Sequence, residues 1–445
     1  MKLDGLQVVM VGMARSGLAA VEFLLARGAR VTATDASPLE KLGDAGAALE
    51  RLRIPFVQQC SDLFEQPDLV VVSPGVPFNA PDIMRARTKG IPVIGEVELA
   101  AQFLRGPVAA ITGSNGKTTT TALLGHLLAT AGIAAQVGGN IGVPPTAMVE
   151  TSRDSQWNVL ELSSFQLATT SSLHARIAAI LNISENHLDW HGSMDAYRAA
   201  KGRIFNHQTS ADLAVLNLED PASLSYSDCT PARVAWFSLS QAMAGGAWLA
   251  GGELVVNGVP FMSVSDVPLP GRHNLENVLA AARMAQEAGA PLAGIARSVT
   301  SFQAVEHRLE FVRLRRGVRY YNDSKATTPA AALKSIEALE GPLWIILGGK
   351  DKGLDFSSLR EPLIKRARAA LLVGQDAGKI ATQLAGALPM EQLGTIDAAV
   401  RYAAERAQTG DVVLLAPACT SWDQFKNFEE RGLFFKTMVR ELEGD

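Results

Sequence analysis

The segment Ile111-Thr-Gly-Ser-Asn-Gly-Lys-Thr-Thr-Thr120 runs from apolar residues through two glycines and a lysine into hydroxyl residues that open a helical pattern. It reads as a cradle for a triphosphate. Gly113 and Gly116 permit unusual backbone angles and close approach, so the N–H groups of Gly113, Ser114, Asn115, Gly116, Thr118 and Thr119 can face phosphate oxygens at a helix N-terminus. Lys117 would neutralise the β- and γ-phosphates, and the Thr118 hydroxyl would ligate Mg2+. The longer Walker-type loop needs glycine at position 111, where this chain has isoleucine, so the spacing is the shorter GxxGKTT. A plain glycine turn with an exposed lysine is the alternative. It leaves unexplained why threonine, a poor helix former, fills positions 118 to 121.

Three further groups could join that loop. Glu161 closes the apolar run Val159-Leu-Glu161, where an unpaired carboxylate would cost several kcal/mol to bury. A cation bridging toward the γ-phosphate would remove that cost, and a partner arginine is the alternative. His187 follows the apolar run Ala178–Ile183, and taken alone it is equally a loop histidine. Lys201, in Tyr197-Arg-Ala-Ala-Lys201, reads by itself as a solvated helix lysine.

Near the start, Gly12-Met-Ala-Arg-Ser-Gly17 follows a strand-like run and opens a helix, with Asp35 ending the next strand. This is a dinucleotide fingerprint with Ala14 in place of the middle glycine, and it keeps a nicotinamide-dependent oxidoreductase open as a reading.

The short phosphate loop resembles that of the Mur ligases and their relative folylpolyglutamate synthase. The resemblance implies ATP as co-substrate and two Mg2+ ions held by Thr118, Glu161, His187 and Lys201. Asn182-Ile-Ser-Glu-Asn-His187 is similar to the family's NxxxxH motif. Tyr197–Phe205 is similar to its YxxAKxxIF stretch, whose lysine is carbamylated by CO2; the physical requirement is an amine made neutral by burial. The first segment then holds a UDP-sugar peptide, with Arg15, Ser16, Asp35, Gly75, Asn140 and His187 as its contacts. Gly271-Arg-His-Asn-Leu-Glu-Asn277 is similar to the family's G-x-HN-x-x-N segment, which implies Asn274 near adenine; a helix cap is the alternative. Arg308, in His307-Arg-Leu-Glu310, and Asp323 and Lys325, in Asn322–Thr327, would meet the nucleotide when the domains close. Ala416–Gly432, with Ser-Trp-Asp-Gln-Phe-Lys-Asn-Phe at its centre, resembles the D-glutamate-adding members. By position it implies that Thr327, Lys352, Ser421 and Phe428 surround the amino acid. Expected substrates are therefore UDP-N-acetylmuramoyl-L-alanine, D-glutamate and ATP. A folate-glutamylating ligase and a P-loop switch remain alternatives.

These residues need strand ends to hold them. Leu6–Val11, a helix from about Gly17 to Arg27, and Arg30–Thr34 form a βαβ unit. A second series starts at Val108 with a helix whose leucines 123, 124, 127 and 128 share a face. Short strands with Gly-Gly and Asn-Gly turns between about Trp236 and Val267 read as a small antiparallel insertion. A third series starts near Phe311. The expected fold is α/β with three domains: an N-terminal Rossmann-like parallel sheet at 1–98, a central P-loop ATPase-type domain at 99–303, and a C-terminal Rossmann-like domain at 304–445.

Composition agrees. With 445 residues, 47% hydrophobic and 19% charged, the chain can bury sizeable cores. A net charge of -4 without a basic block argues against nucleic acid. Three scattered cysteines argue against a disulfide framework or a CxxC metal site. No leader-like segment and no long apolar run are found, so a cytoplasmic protein without membrane contact is expected; a monomer is expected as well.

Overall fold

Central strands such as Leu69–Val72, Val108–Thr112 and Val412–Leu415 are short, mostly apolar runs buried along their whole length, as strands covered on both faces must be. The structure is a computed structural model that describes residues 1–303 and 305–444. The expected boundary at 304 and the last residue lie outside the described residues.

The first sheet holds β1 (Gln7–Val11), β2 (Arg30–Thr34), β3 (Leu69–Val72) and β4 (Val93–Gly95), all parallel, in the order β2-β1-β3-β4. The second begins with β5 (Val108–Thr112), β6 (Ala135–Gly139), β7 (Trp157–Glu161), β8 (Ile177–Ile180), β9 (Leu213–Asn217) and β10 (Arg233–Ser238). It ends with β11 (Ala247–Ala250), β12 (Glu253–Val256) and β13 (Val259–Ser263). The order is β13-β12-β11-β10-β9-β8-β5-β7-β6. The expected antiparallel strands are present and continue the central sheet. β11 to β13 pair antiparallel with one another, but β11 pairs with β10 and so lengthens the main sheet, and Trp236 belongs to parallel β10. The edge strand β6 is not visible in the sequence, because its Gln and Gly residues break the apolar pattern.

The third sheet comprises β14 (Glu310–Arg315), β15 (Val318–Asn322), β16 (Leu343–Gly348), β17 (Ala367–Val373), β18 (Met390–Gly394) and β19 (Val412–Leu415). Its order is β14-β15-β19-β16-β17-β18, parallel except for the β14–β15 hairpin. The described chain divides into two compact units. One contains Met1–Val267 and Leu275–Phe302; the other contains Pro268–Asn274 and the described residues from Gln303 onward. No helix among the described residues is long and apolar enough to cross a membrane, and all three cysteines are unpaired.

In open parallel sheets, ligands gather at carboxyl ends of strands where the winding direction reverses. In the second sheet that point is β5, flanked by β7 on one side and β8 on the other. In the first sheet it is β1, between β2 and β3.

Where the first sheet ends, β4 runs directly into the helix Glu96–Ala101. Glu96 is 1% exposed. Its Oε1 accepts from Thr146 N and Oγ1, both at 2.7 Å, while Oε2 has no partner. Burial pushes this carboxyl up to about 7. A raised native value means that the folded chain holds the extra proton between the ordinary glutamate range and about pH 7, so stability falls as pH rises through that window. Glu96→Gln removes this slope. The variant is expected to be more stable than the parent at pH 8, by at most about 3 kcal/mol, with the gap closing near pH 4. Urea midpoints at the two pH values measure it, and parallel profiles would reject the assignment.

Candidate active site

The loop after β5 is built by contacts on both of its sides. Ser114 N donates to Asn182 O at 2.8 Å, and Asn115 N donates to Asn182 Oδ1 at 2.9 Å. Ser114 Oγ donates to Ser184 O at 3.0 Å, accepts from Ser184 N at 2.8 Å and lies 2.9 Å from Tyr197 OH. The segment after β8 therefore shapes the loop. Nothing local in the sequence marks Asn182 as a clamp on this loop. Gly116, with φ of 82°, begins the helix Lys117–Thr130. A Cβ there would run into Asn277 Oδ1, the same oxygen that accepts from Thr120 Oγ1 at 3.2 Å. Gly116→Ala is expected to cost about 1–2 kcal/mol from the left-handed backbone alone, as read by urea denaturation. Thr118, Thr120 and Thr121 are buried, so the threonine run serves packing and hydrogen bonding as well as the loop.

Two lysines converge on this loop. Lys117 Nζ donates to Gly113 O and Ser114 O, both at 3.0 Å. Lys201, 1% exposed, donates to Gly113 O at 2.8 Å and Thr112 Oγ1 at 3.2 Å. Its helix, Met194–Gly202, is capped by Ser193, and Tyr197 one turn earlier lays its ring 4.8 Å from Nζ. Burial, and secondarily the Lys117 charge, holds the Lys201 ammonium well below the usual lysine range, with the Glu161 charge opposing. The solvated lysine read from local sequence is thus replaced by a desolvated amine.

Glu161 ends β7 and is also 1% exposed. Ser163 and Gln166 form a capping box that fixes the turn after it. Glu161 Oε1 accepts from Asn140 Nδ2 at 2.9 Å, and Oε2 is buried without a partner. The partner arginine considered above is not what holds it. An orphaned buried carboxylate oxygen beside a hydroxyl-bearing loop fits a hard divalent cation. His187 lies at φ of 56°, with its ring centroid 4.7 Å from that of Phe165 in the short helix Ser164–Ala168 after β7.

The remaining expected residues fall elsewhere. Arg15 and Ser16 open the helix Arg15–Ala26 after β1, and Gly75 follows β3. Asp35, after β2, accepts from Met13 N at 2.8 Å and Ser37 N at 2.9 Å, so it braces the turn that carries Arg15. Asn140 is tied to Glu161 and not to these residues.

In the second unit, the loops after β15, β16 and β19 lie together. Asp323 N donates to Leu415 O, Ala418 N to Ala326 O and Gly348 N to Pro417 O, each at 2.8 Å. Asp323 is hydrogen-bonded to Ser335, and burial pushes its carboxyl up to about 6, with Arg308 opposing. Lys325 Nζ sits 4.5 Å from the Phe428 ring centroid. Ser421 is buried, and Thr327 follows on the Lys325 loop. Lys352 is exposed on a turn whose backbone donates to Asp351. Asn274 Nδ2 donates to Pro270 O at 2.6 Å at the start of the helix Arg272–Glu287.

One residue outside the expected set stands out here. Arg431, 2% exposed, donates to Ser324 Oγ at 3.0 Å, to Ser324 O at 2.8 Å and twice to Cys419 O at 3.1 Å. It ties the Lys325 loop to the Ser421 loop. Its only sequence signal was its place in the segment Ala416–Gly432, because nothing local marks an arginine as buried.

Comparison with known proteins adds to this geometry. Residues 6–95 match the family model described as Mur ligase MurD-like, N-terminal domain; 111–285 match the Mur ligase middle domain; and 307–419 match the Mur ligase glutamate ligase domain. A protein of Solibacter usitatus named UDP-N-acetylmuramoylalanine--D-glutamate ligase is 56% identical over 443 residues, covering 100% of this chain and 99% of its own. A protein of the same name from Acidobacterium capsulatum is 48% identical, covering 99% of this chain and 97% of its own. Among solved structures, the UDP-N-acetylmuramate-alanine ligase of Thermotoga maritima shares the fold, with a TM-score of 0.62 and 19% identity over 98% of this chain and 99% of its own.

Proposed function

We infer the reaction from one premise: the chain belongs to the Mur ligase family. It is an ATP-dependent ligase that joins the carboxylate of UDP-N-acetylmuramoyl-L-alanine to the amine of D-glutamate, a step of peptidoglycan synthesis, releasing ADP and phosphate. The observation that carries the chemistry is the meeting of Lys117 and Lys201 on the Gly113 carbonyl, at the strand where the second sheet reverses. The nicotinamide reading of the first segment is set aside, since residues 6–95 match a Mur ligase domain. The folate-glutamylating alternative is set aside by full-length similarity to the D-glutamate ligases.

A carboxylate is a poor acyl donor. ATP overcomes this when a carboxylate oxygen attacks the γ-phosphorus and ADP leaves, giving an acyl phosphate; the glutamate amine then attacks the acyl carbon, phosphate leaves and the amine loses a proton. The amides from Gly113 to Thr119 and the Lys117 ammonium are the groups we assign to the β- and γ-phosphates, where fixed dipoles and charge stabilise the transferring group without reorganising. Asn274, Arg308, Asp323 and Lys325 are assigned to the nucleotide. Arg15, Ser16, Asp35 and Gly75 are assigned to the UDP moiety. Thr327, Lys352, Ser421 and Phe428 are assigned to the amino acid, with Lys352 as charge partner of a carboxylate.

Thr118, Glu161, His187 and Lys201 would hold Mg2+. When bound, the metal disperses negative charge on the phosphoryl group. The neutral amine of buried Lys201 can add CO2, forming a nitrogen–carbon bond and releasing one proton, so that a neutral group becomes an anion. Carbon-13 NMR under labelled CO2 is expected to show one carbamate, absent in Lys201→Met. Phosphate release with UDP-N-acetylmuramoyl-L-alanine and a panel of amino acids of both hands tests the whole reading. D-glutamate is expected to support turnover; release that ignores the amino acid supplied would reject the assignment.

A further inference from the structure

We propose that Asn140 is a positioning residue for Glu161, holding the carboxylate so that its second oxygen takes the divalent cation. The proposal rests on the reading of Glu161 as a Mg2+ ligand. Gly139 and Glu161 are register partners across β6 and β7. Asn140 N donates to Glu161 O at 2.8 Å and Asn140 Nδ2 donates to Glu161 Oε1 at 2.9 Å, so the asparagine grips both the backbone and the side chain of the same residue. Gly139, at φ of 108°, lets the strand end press in: a Cβ there would run into Glu161 O.

One carboxylate oxygen is thereby occupied by an amide, and the other, Oε2, is left buried and unpartnered. A carboxylate that ligates a metal is itself oriented by hydrogen bonds, and removal of such a donor typically weakens metal binding about 10- to 100-fold. Without the amide, the Glu161 carboxylate is free to turn about its terminal bond, and pre-organisation for the cation is lost. Asn140 itself is exposed, so its replacement leaves no hole in a core.

The test uses the full chain, Mn2+ as the probe and a non-hydrolysable ATP analogue, with free Mn2+ followed by electron paramagnetic resonance. Asn140→Ala and the near-isosteric Asn140→Leu are expected to weaken Mn2+ binding about 10- to 100-fold. Affinity for UDP-N-acetylmuramoyl-L-alanine, measured calorimetrically without nucleotide or metal, separates a loss at the metal from a loss of substrate contact. Unchanged Mn2+ affinity in both variants overturns the proposal, as does a loss confined to the UDP substrate. Glu161→Gln separates the layers: unchanged Mn2+ affinity there overturns Glu161 as a ligand, whereas a loss there with none in Asn140→Leu overturns only the positioning role.

Discussion

Replacement of Lys117 by alanine is expected to lower kcat by on the order of a thousandfold or more while leaving the fold intact. Removal of a single preorganised donor to a developing charge costs two to three orders of magnitude in comparable acyl-transfer sites, and Lys117 is the charged group of the cradle. The structural cost is small because the loop does not depend on this side chain. Ser114 and Asn115 remain fastened to Asn182 and Ser184 through hydrogen bonds of 2.8 to 3.0 Å. The Gly113 carbonyl keeps its bond from Lys201. Single-turnover acyl-phosphate formation and urea denaturation together decide the point. Near-normal turnover would remove the loop from the mechanism, and global unfolding would make the lysine structural.

The second large effect is expected at Lys201, where activity and stability should move in opposite directions. Lys201→Met removes the nitrogen but keeps most of the volume, and kcat should fall by on the order of a hundred- to a thousandfold through loss of charge control at the phosphoryl group. The acceptors left behind are not stranded. Gly113 O still accepts from Lys117, and the Thr112 hydroxyl still donates to Leu162 O at 2.6 Å. Burial holds the native amine well below the usual lysine range. The unfolded chain therefore binds the extra proton, and parent stability rises with pH until about 10.4. The methionine variant lacks this slope. In CO2-free buffer it should be the more stable protein at pH 7, with the difference closing toward pH 10. Equal slopes in the two proteins would show that Lys201 is charged in the fold.

The architecture was legible because its signals are local. Runs such as Val108–Thr112 and Leu343–Leu347 are too apolar and too short for anything but buried strands, and glycines mark where they turn. The exceptions have physical causes. β6 carries Gln136, Gly138 and Gly139 because it is an edge strand whose end must approach Glu161 closely. The turn-rich stretch after Trp236 shows hairpins correctly, but its pairing with β10 is a choice of sheet edge that no local pattern encodes.

The phosphate loop could be read from the chain alone, since its chemistry needs only consecutive amides, two permissive glycines, a lysine and a hydroxyl in fixed order. The need of Glu161 for a partner was also readable, because a carboxylate ending a buried strand must be compensated. The tertiary structure alone decided the partner, choosing Asn140 from 21 residues away. It also took Lys201 out of water against a loop 88 residues earlier and buried Arg431 between two loops. Desolvation and long-range hydrogen bonds depend on which strands become neighbours, and strand order is set by how whole faces pack, not by any one stretch of residues.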